Sequence, residues 1–284
     1  MSAHKDRFLL ATAAVLFSTG GAAIKGCSLT GWQIACFRSG IAAAFMFLLF
    51  PAARKGWTWR TFVVGLTYAA TLITFVTANK LTTSANAIFL QSTSPFYLLF
   101  LSPLLLREKV RRVDLLVVTA VALGAVLLLR GSETVVNTAP HPTQGNLIAL
   151  SSGLCWALTV AGLRWLSKRG ESSEGSTIAG NLLASLLCLR ASVPVGHFET
   201  RDVWILAYLG VFQLGLGYLL VTRSIRRVPA LEASTLMMLE PVCNPIWTWL
   251  VHGERPSQLA LFGASIILGT SFAASWWRSR RLVA

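Results

Sequence analysis

Apolar residues gather into ten stretches along the chain, at about residues 8–25, 32–51, 60–79, 83–106, 113–130, 145–166, 176–196, 203–222, 230–251 and 257–277, each bounded by charge, Pro or Gly. A helix rises 1.5 Å per residue, so roughly 20 apolar residues cross the ~30 Å of a bilayer's hydrocarbon. Each stretch therefore predicts a membrane-spanning helix. The segment 176–196 is nearest the limit: it ends in Arg190 and Pro194 and has about 14 clean apolar positions, which also fits a re-entrant segment. The first stretch follows a short basic leader, His4, Lys5 and Arg7, in the manner of a signal peptide. Nine spans follow it, however, and the run from Phe8 to Ile24 reaches Lys25 without a small-residue cleavage site, so it reads as a retained helix.

Composition agrees with the pattern. Of 284 residues, 54% are hydrophobic and only 13% charged, with a mean hydropathy of +0.62, whereas soluble domains carry about 25% charged residues. The fold class expected is all-α integral membrane, with no room for a sizeable soluble domain, and an ordinary cytosolic enzyme is excluded. The net charge of +14 does not point to nucleic acid, because basic residues scattered over connections are what bilayer topology requires. With the N-terminus in the cytoplasm, eighteen Lys and Arg fall in inside connections, and only Lys25, Lys80, Arg130, Arg201 and Arg255 lie at outside ends. That asymmetry places both termini in the cytoplasm of a multi-pass protein of the cell inner membrane. Tryptophan prefers the headgroup level; Trp32, Trp204 and Trp249 fall at outer ends and Trp57, Trp59, Trp165, Trp276 and Trp277 at inner ones, whereas Trp156 falls near the midplane.

A faint internal repeat appears when the chain is shifted by about 146 residues. Ala87, Pro95 and Glu108 fall on Ala233, Pro241 and Glu254; one residue earlier in register, Trp59 and Gly65 fall on Trp204 and Gly210; with a shift of 139, Phe17 and Lys25 fall on Trp156 and Arg164. Two halves of five helices each follow, 1–138 and 139–284. An odd number of spans per half makes the second enter the membrane from the opposite side, so the repeats are inverted, an architecture that recurs among transporters with cargo held near the midplane. The charges agree: the connection after the fourth span holds Arg107, Lys109, Arg111 and Arg112, its counterpart after the ninth only Arg255.

Four features stand together: small polar residues after an aromatic in the first span, Phe17-Ser18-Thr19-Gly20; Arg38 in the second; Ser94-Pro95-Phe96 followed by Arg107-Glu108-Lys109; and Glu240-Pro241 followed by Glu254-Arg255 in the second half. In that order they resemble the ten-helix drug/metabolite transporter superfamily of the type called EamA. Nearly the whole chain is covered. The resemblance, strongest to the bacterial aromatic amino acid exporters of that superfamily, implies outward movement of Phe, Tyr, Trp and other neutral amino acids. Arg38 has no basic counterpart near Asn181, so the two halves are not assumed to contribute equally.

An ionisable group at mid-helix costs on the order of 2.5–3.5 kcal/mol on insertion scales, so each is a functional candidate. Glu240 is the deepest, about ten residues or roughly 15 Å into the ninth span. Asn244 follows it by one turn and Met237 precedes it by one; the equivalent face of the fourth span carries Gln91 and Ser94, with Tyr97 three residues beyond. A substrate ammonium suits Glu240, and Gln91, Ser94 and Asn244 suit either end of a zwitterion; the alternative is a polar clamp between helices. Arg38 is either a structural partner for Glu240 or a carboxylate receptor. Lys25 and Lys80, at outer helix ends, read as solvated anchors, or as cations that attract a substrate carboxylate. Tyr68 and Gln213 occupy equivalent mid-span positions and suit a cavity wall, and Trp156 either stacks on an aromatic cargo or packs in the core. Pro95 and Pro241, at equivalent mid-helix positions, predict two kinks, as hinges or as static bends. Small residues in the fifth and tenth spans, including Gly124, Gly263 and Gly269, predict close helix packing, within the chain or in a dimer.

The five cysteines and four histidines show no disulfide or metal-site spacing, and no P-loop, Rossmann or nucleophile-elbow pattern is found, so no metal and no cofactor is expected. The reading is a secondary carrier exporting aromatic and other neutral amino acids by alternating access. Its rivals are a carrier of other metabolites or drugs, and a non-transporting membrane subunit or membrane enzyme.

Overall fold

The computed structural model describes residues 3–106, 112–131, 137–171, 173–196, 198–224, 228 and 236–280, and among these the ordered elements are helices arranged as ten spans. The second (Gly31–Leu49), third (Trp59–Leu81), fifth (Arg112–Arg130), sixth (Pro142–Ser167), seventh (Ser173–Ser192) and tenth (Gln258–Arg280) are single helices. The first is split into Ala3–Ser18 and Gly20–Gly26, and the fourth into Ser84–Gln91 and Ser94–Leu106. The ninth turns at Met238 before Leu239–His252, and the eighth runs through Thr200–Ala207, a π-helical stretch Tyr208–Leu216 and Gly217–Ser224. Five units are long and apolar enough to cross a membrane by length and composition, namely spans 1, 2, 3, 6 and most of 8, and the fifth and tenth contain shorter apolar helices. The segment that fitted either a span or a re-entrant loop forms a helix of 20 residues. The Arg107-Glu108-Lys109 connection lies outside the described residues.

Local chemistry explains where helices start and break. Thr30 and Gln33 form a reciprocal cap on the second span, the Thr83 hydroxyl accepts from the Asn86 N–H at the fourth, and Gly253 ends the ninth with φ +69°, a left-handed conformation that costs glycine little. In the first span the Ser18 and Thr19 hydroxyls turn back onto the Val15 and Leu16 carbonyls, 2.7 Å each, and two glycines follow. Both effects weaken helix continuity. The fourth span breaks in the same way, with Ser92 and Thr93 hydroxyls on Ile88 and Leu90 carbonyls at 2.8 and 2.6 Å. Pro95 and Pro241 then fall in the first turn of a new helix, where no N–H is needed, so the kinks expected from sequence are helix breaks instead. Pro103 and Pro245, by contrast, stand in helix interiors.

Packing follows the inverted repeat. The third span lies on the sixth and the eighth on the first; the third also lies on the seventh and the eighth on the second; the fourth lies on the sixth and the ninth on the first. Each pair maps onto the other when halves are exchanged. Spans 2 and 7, 4 and 9, and 5 and 10 pack on their own counterparts, as elements beside a pseudo-twofold axis must. Backbone approach is close at these contacts: a Cβ on Gly124 would lie 2.7 Å from the Gly263 carbonyl oxygen. Gly124 and Gly263 thus pack on each other within the chain, whereas Gly269 faces open space.

Burial runs opposite to that of a soluble domain. Asn79, Asn181, Asn244, Ser152 and Thr248 are all buried, while Leu104, Leu116 and Phe262 are exposed. A surface facing lipid has no reason to hide leucine, and polar groups must instead find partners inside.

Candidate functional site

Aromatic rings meet between spans 1, 3, 6 and 8. Tyr218 stands edge-to-face to Phe17 at 5.3 Å and to Tyr68 at 5.6 Å between centroids, and Trp156 packs against the same cluster with Leu72 and Leu214. The repeat pairs Phe17 with Trp156, and both reach this cluster from opposite halves. Tyr218 went unremarked in the sequence; its one signal is that it is among only four tyrosines, placed in mid-span. Its hydroxyl lies within electrostatic reach of both Arg38 and Glu240.

Those two residues carry the ionisable chemistry. Arg38 is 1% exposed, and its sole hydrogen bond among the described residues is a long one, 3.4 Å from Nη2 to the Leu72 carbonyl, leaving Nε and Nη1 without partners. Glu240 is half-buried in the first turn of Leu239–His252 and makes no hydrogen bond or ion pair among the described residues, so it is not salt-bridged to Arg38. A carboxylate at the start of a helix sits at the positive end of its dipole, which favours the charge there. Ser94 occupies the equivalent start in the fourth span.

The remaining candidates divide. The Gln91 amide donates to Ser152 Oγ at 2.8 Å, which reaches the Thr71 carbonyl at 3.4 Å, so it faces the sixth and third spans. Gln213 is buried in the π-helical stretch, donates to the Phe17 carbonyl at 3.5 Å, and leaves Oε1 without a partner. Tyr97 turns to Phe96, 5.4 Å between centroids. Met237 lies beyond the turn at Met238 and packs with Leu10 and Val228, away from the face that Glu240 shares with Asn244, because the break interrupts the helical register. Lys80 donates to the Cys27 carbonyl at 2.8 Å, at the end of the bundle opposite the termini, apart from the aromatic cluster.

That distal end is tightly joined. Asn244 Oδ1 accepts from Ser84 Oγ at 2.7 Å, the Ser84 N–H donates to Glu254 at 2.9 Å, and Glu254 pairs with Lys25 at 3.0 Å. Lys25, read from sequence as a solvated anchor, is therefore buried, because its carboxylate partner comes from the other half. The structure brings together Trp156, Tyr68, Arg38 and Glu240 around Tyr218, and it leaves Lys80 and Met237 outside that group. Among the described residues no three His, Cys, Asp or Glu side chains converge as a metal site would require.

The profile of the EamA-like transporter family matches residues 7–130 and again residues 143–276. The chain belongs to that family. It is accordingly a multi-pass membrane transporter, and EamA-like proteins transport rather than catalyse. Among curated relatives, the pseudopaline exporter CntI of Pseudomonas aeruginosa is 27% identical over 95% of this chain and 96% of its own. The threonine/homoserine exporter RhtA of Escherichia coli is 26% identical over 58% of this chain and 55% of its own. A crystal structure covers 100% of both chains with a TM-score of 0.63 at 19% identity, a likeness of fold alone.

Proposed function

We propose that this transporter is a secondary carrier that exports aromatic and other neutral amino acids across the inner membrane by alternating access, the moving parts being the halves 1–138 and 139–284 with both termini cytoplasmic. One observation carries the reading: Glu240, a carboxylate with no partner among the described residues, and an under-satisfied guanidinium, Arg38, flank a cluster of aromatic rings centred on Tyr218. A buried charge without a partner is costly, so each is matched by a ligand of opposite charge. Glu240 takes the ammonium and Arg38 the carboxylate, and Trp156, Tyr68 and Phe17 hold the side chain by edge-to-face contact. Gln91, Ser94, Gln213 and Asn244 satisfy the remaining polar edges. The breaks before Pro95 and Pro241 act as paired hinges, since each leaves a helix free to rotate about a turn.

Export of threonine and homoserine by one relative supports the amino acid class. A second reading, export of another small metabolite such as pseudopaline, is favoured by the pseudopaline exporter, which matches almost the whole chain. Efflux of labelled phenylalanine from proteoliposomes holding only this protein tests the proposal, with threonine, homoserine and pseudopaline as competitors. Saturable phenylalanine flux, lost in Glu240→Gln and weakened in Trp156→Ala while both proteins keep their melting temperature, is expected; no phenylalanine flux, or full flux in both variants, overturns it.

A further inference from the structure

A second buried carboxylate lies at the distal end. Glu254 is 2% exposed at its side chain and Lys25, its partner at 3.0 Å, 3%. Lys25 Nζ also donates to the Thr82 carbonyl at 2.6 Å and to the Thr138 carbonyl, and Glu254 accepts the Ser84 N–H. The ion pair therefore ties the end of the first span to the end of the third and the start of the fourth, to the segment before the sixth and to the end of the ninth, which are the elements that must part for the distal end to open. Beside Glu254 lies a cavity of about 340 Å³, lined among others by Thr83, Asn86, Thr138, His252 and Arg255. That volume lies within the range of small-molecule sites.

The cavity is also joined to mid-span. Asn244 follows Glu240 by one turn on the same face, accepts from Ser84 Oγ, is 1% exposed, and leaves Nδ2 without a partner. Hydrogen-bonded groups thus run from Asn244 through Ser84 to Glu254, and Glu240 stands one turn from the near end of that run. We infer that the distal cavity is a second cargo site, for a primary ammonium, in which the cargo's ammonium replaces Lys25 at Glu254 and so releases the distal end. The inference rests on the carrier reading above and adds a site and a gating rule to it. A buried carboxylate stripped of its cation is strongly unfavourable, so Lys25 leaves only when another cation takes its place. An incoming ammonium makes the exchange nearly neutral, whereas opening with an empty cavity strands Glu254; the distal end is therefore held shut until cargo arrives. Arg255, exposed beside Trp249 at 5.9 Å, presents a cation at the rim for the cargo's carboxylate.

Cys27, 2% exposed and two residues beyond Lys25, reports opening. The experiment follows its modification by a membrane-impermeant maleimide in the purified protein, located by peptide mass spectrometry. Ethylammonium is expected to raise the rate saturably by roughly tenfold or more, with ethanol inert, because a cargo that drives a conformational change does so by its differential affinity. Lys25→Gln is expected to react fast without any addition, and the double variant Lys25→Glu with Glu254→Lys, which keeps a pair but reverses it, to stay protected and to ignore ethylammonium. A Cys27 rate in the native protein that ignores ethylammonium overturns the inference, as does a protected Cys27 in Lys25→Gln. Loss of phenylalanine flux with an intact ethylammonium response overturns the amino acid assignment and leaves the gate standing; the converse overturns the gate alone.

Discussion

The ion pairs that join different spans differ between the two ends of the bundle, although a local distal pair, Arg201 with Glu199, is exposed at 62% and 45%. At the distal end Lys25 and Glu254 meet almost wholly out of solvent, Asp202 at 0% exposure accepts the Ser28 N–H at 2.8 Å as well as its hydroxyl, and Lys80 closes on the Cys27 carbonyl. At the termini end one such pair is Arg60 with Glu171, at 2.7 Å but with side chains 28% and 16% exposed, ringed by Trp59, Trp165 and Arg169 in cation–π contact. Buried pairs cost much when halved, because the survivor is left charged in a poor solvent, whereas water takes over from a lost partner at the surface. The distal end is thus built to be all shut or released at once, and the termini end to loosen piecemeal.

Four substitutions break or sharpen that contrast. Lys25→Gln, which strands Glu254, is expected to destabilise by about 3–5 kcal/mol, read as a drop in thermal midpoint in detergent. Asp202→Ala leaves the Ser28 and Glu199 N–H groups unanswered and is expected to cost about 1–3 kcal/mol by the same assay. Gly21→Ala is next, at roughly 1–3 kcal/mol: its new methyl would run into the Ser84 hydroxyl and the Asn244 amide, and the Cys27 labelling rate should rise with it. Glu171→Gln should have the smallest effect, a small but measurable drop in thermal midpoint at neutral pH. The Thr58 hydroxyl first, and Arg60 with it, hold the Glu171 carboxyl below its ordinary value of 4.5. A lowered value in the folded protein stabilises above the ordinary one and fades as the pH falls from there through the lowered one. Native protein and Glu171→Gln should therefore converge in midpoint on acidification; a gap that widens instead would refute this account.

The first and sixth spans show what sequence comparison does and does not reveal. They are counterparts by the alignment of Phe17 with Trp156, yet the first breaks at Thr19 and the sixth runs unbroken for 26 residues. The reason is local and legible: where the first has Ser18 and Thr19, the aligned positions of the sixth hold Ala157 and Leu158, with no hydroxyl to compete for the backbone. Pro95 and Pro241 were equally visible, but a proline in an apolar run is compatible with a kink or a new helix start; the Ser92 and Thr93 hydroxyls decide for the latter before Pro95, and before Pro241 the chain turns at Met238. Of the mid-span group, Glu240, Arg38, Tyr68 and Trp156 stood out because a polar or amphipathic side chain at depth is anomalous in itself. Tyr218 did not, since nothing in its neighbours tells which way it turns.

Hydrophobic runs, charge bias and the odd count of spans per half were enough to specify ten crossings in two inverted copies, because the bilayer imposes its thickness and charge asymmetry on every segment separately. Which cation is solvated and which is buried was beyond them. Lys25 is enclosed only because Glu254, contributed by the opposite copy, arrives beside it, and a residue's dielectric surroundings are set by neighbours that only folding brings near.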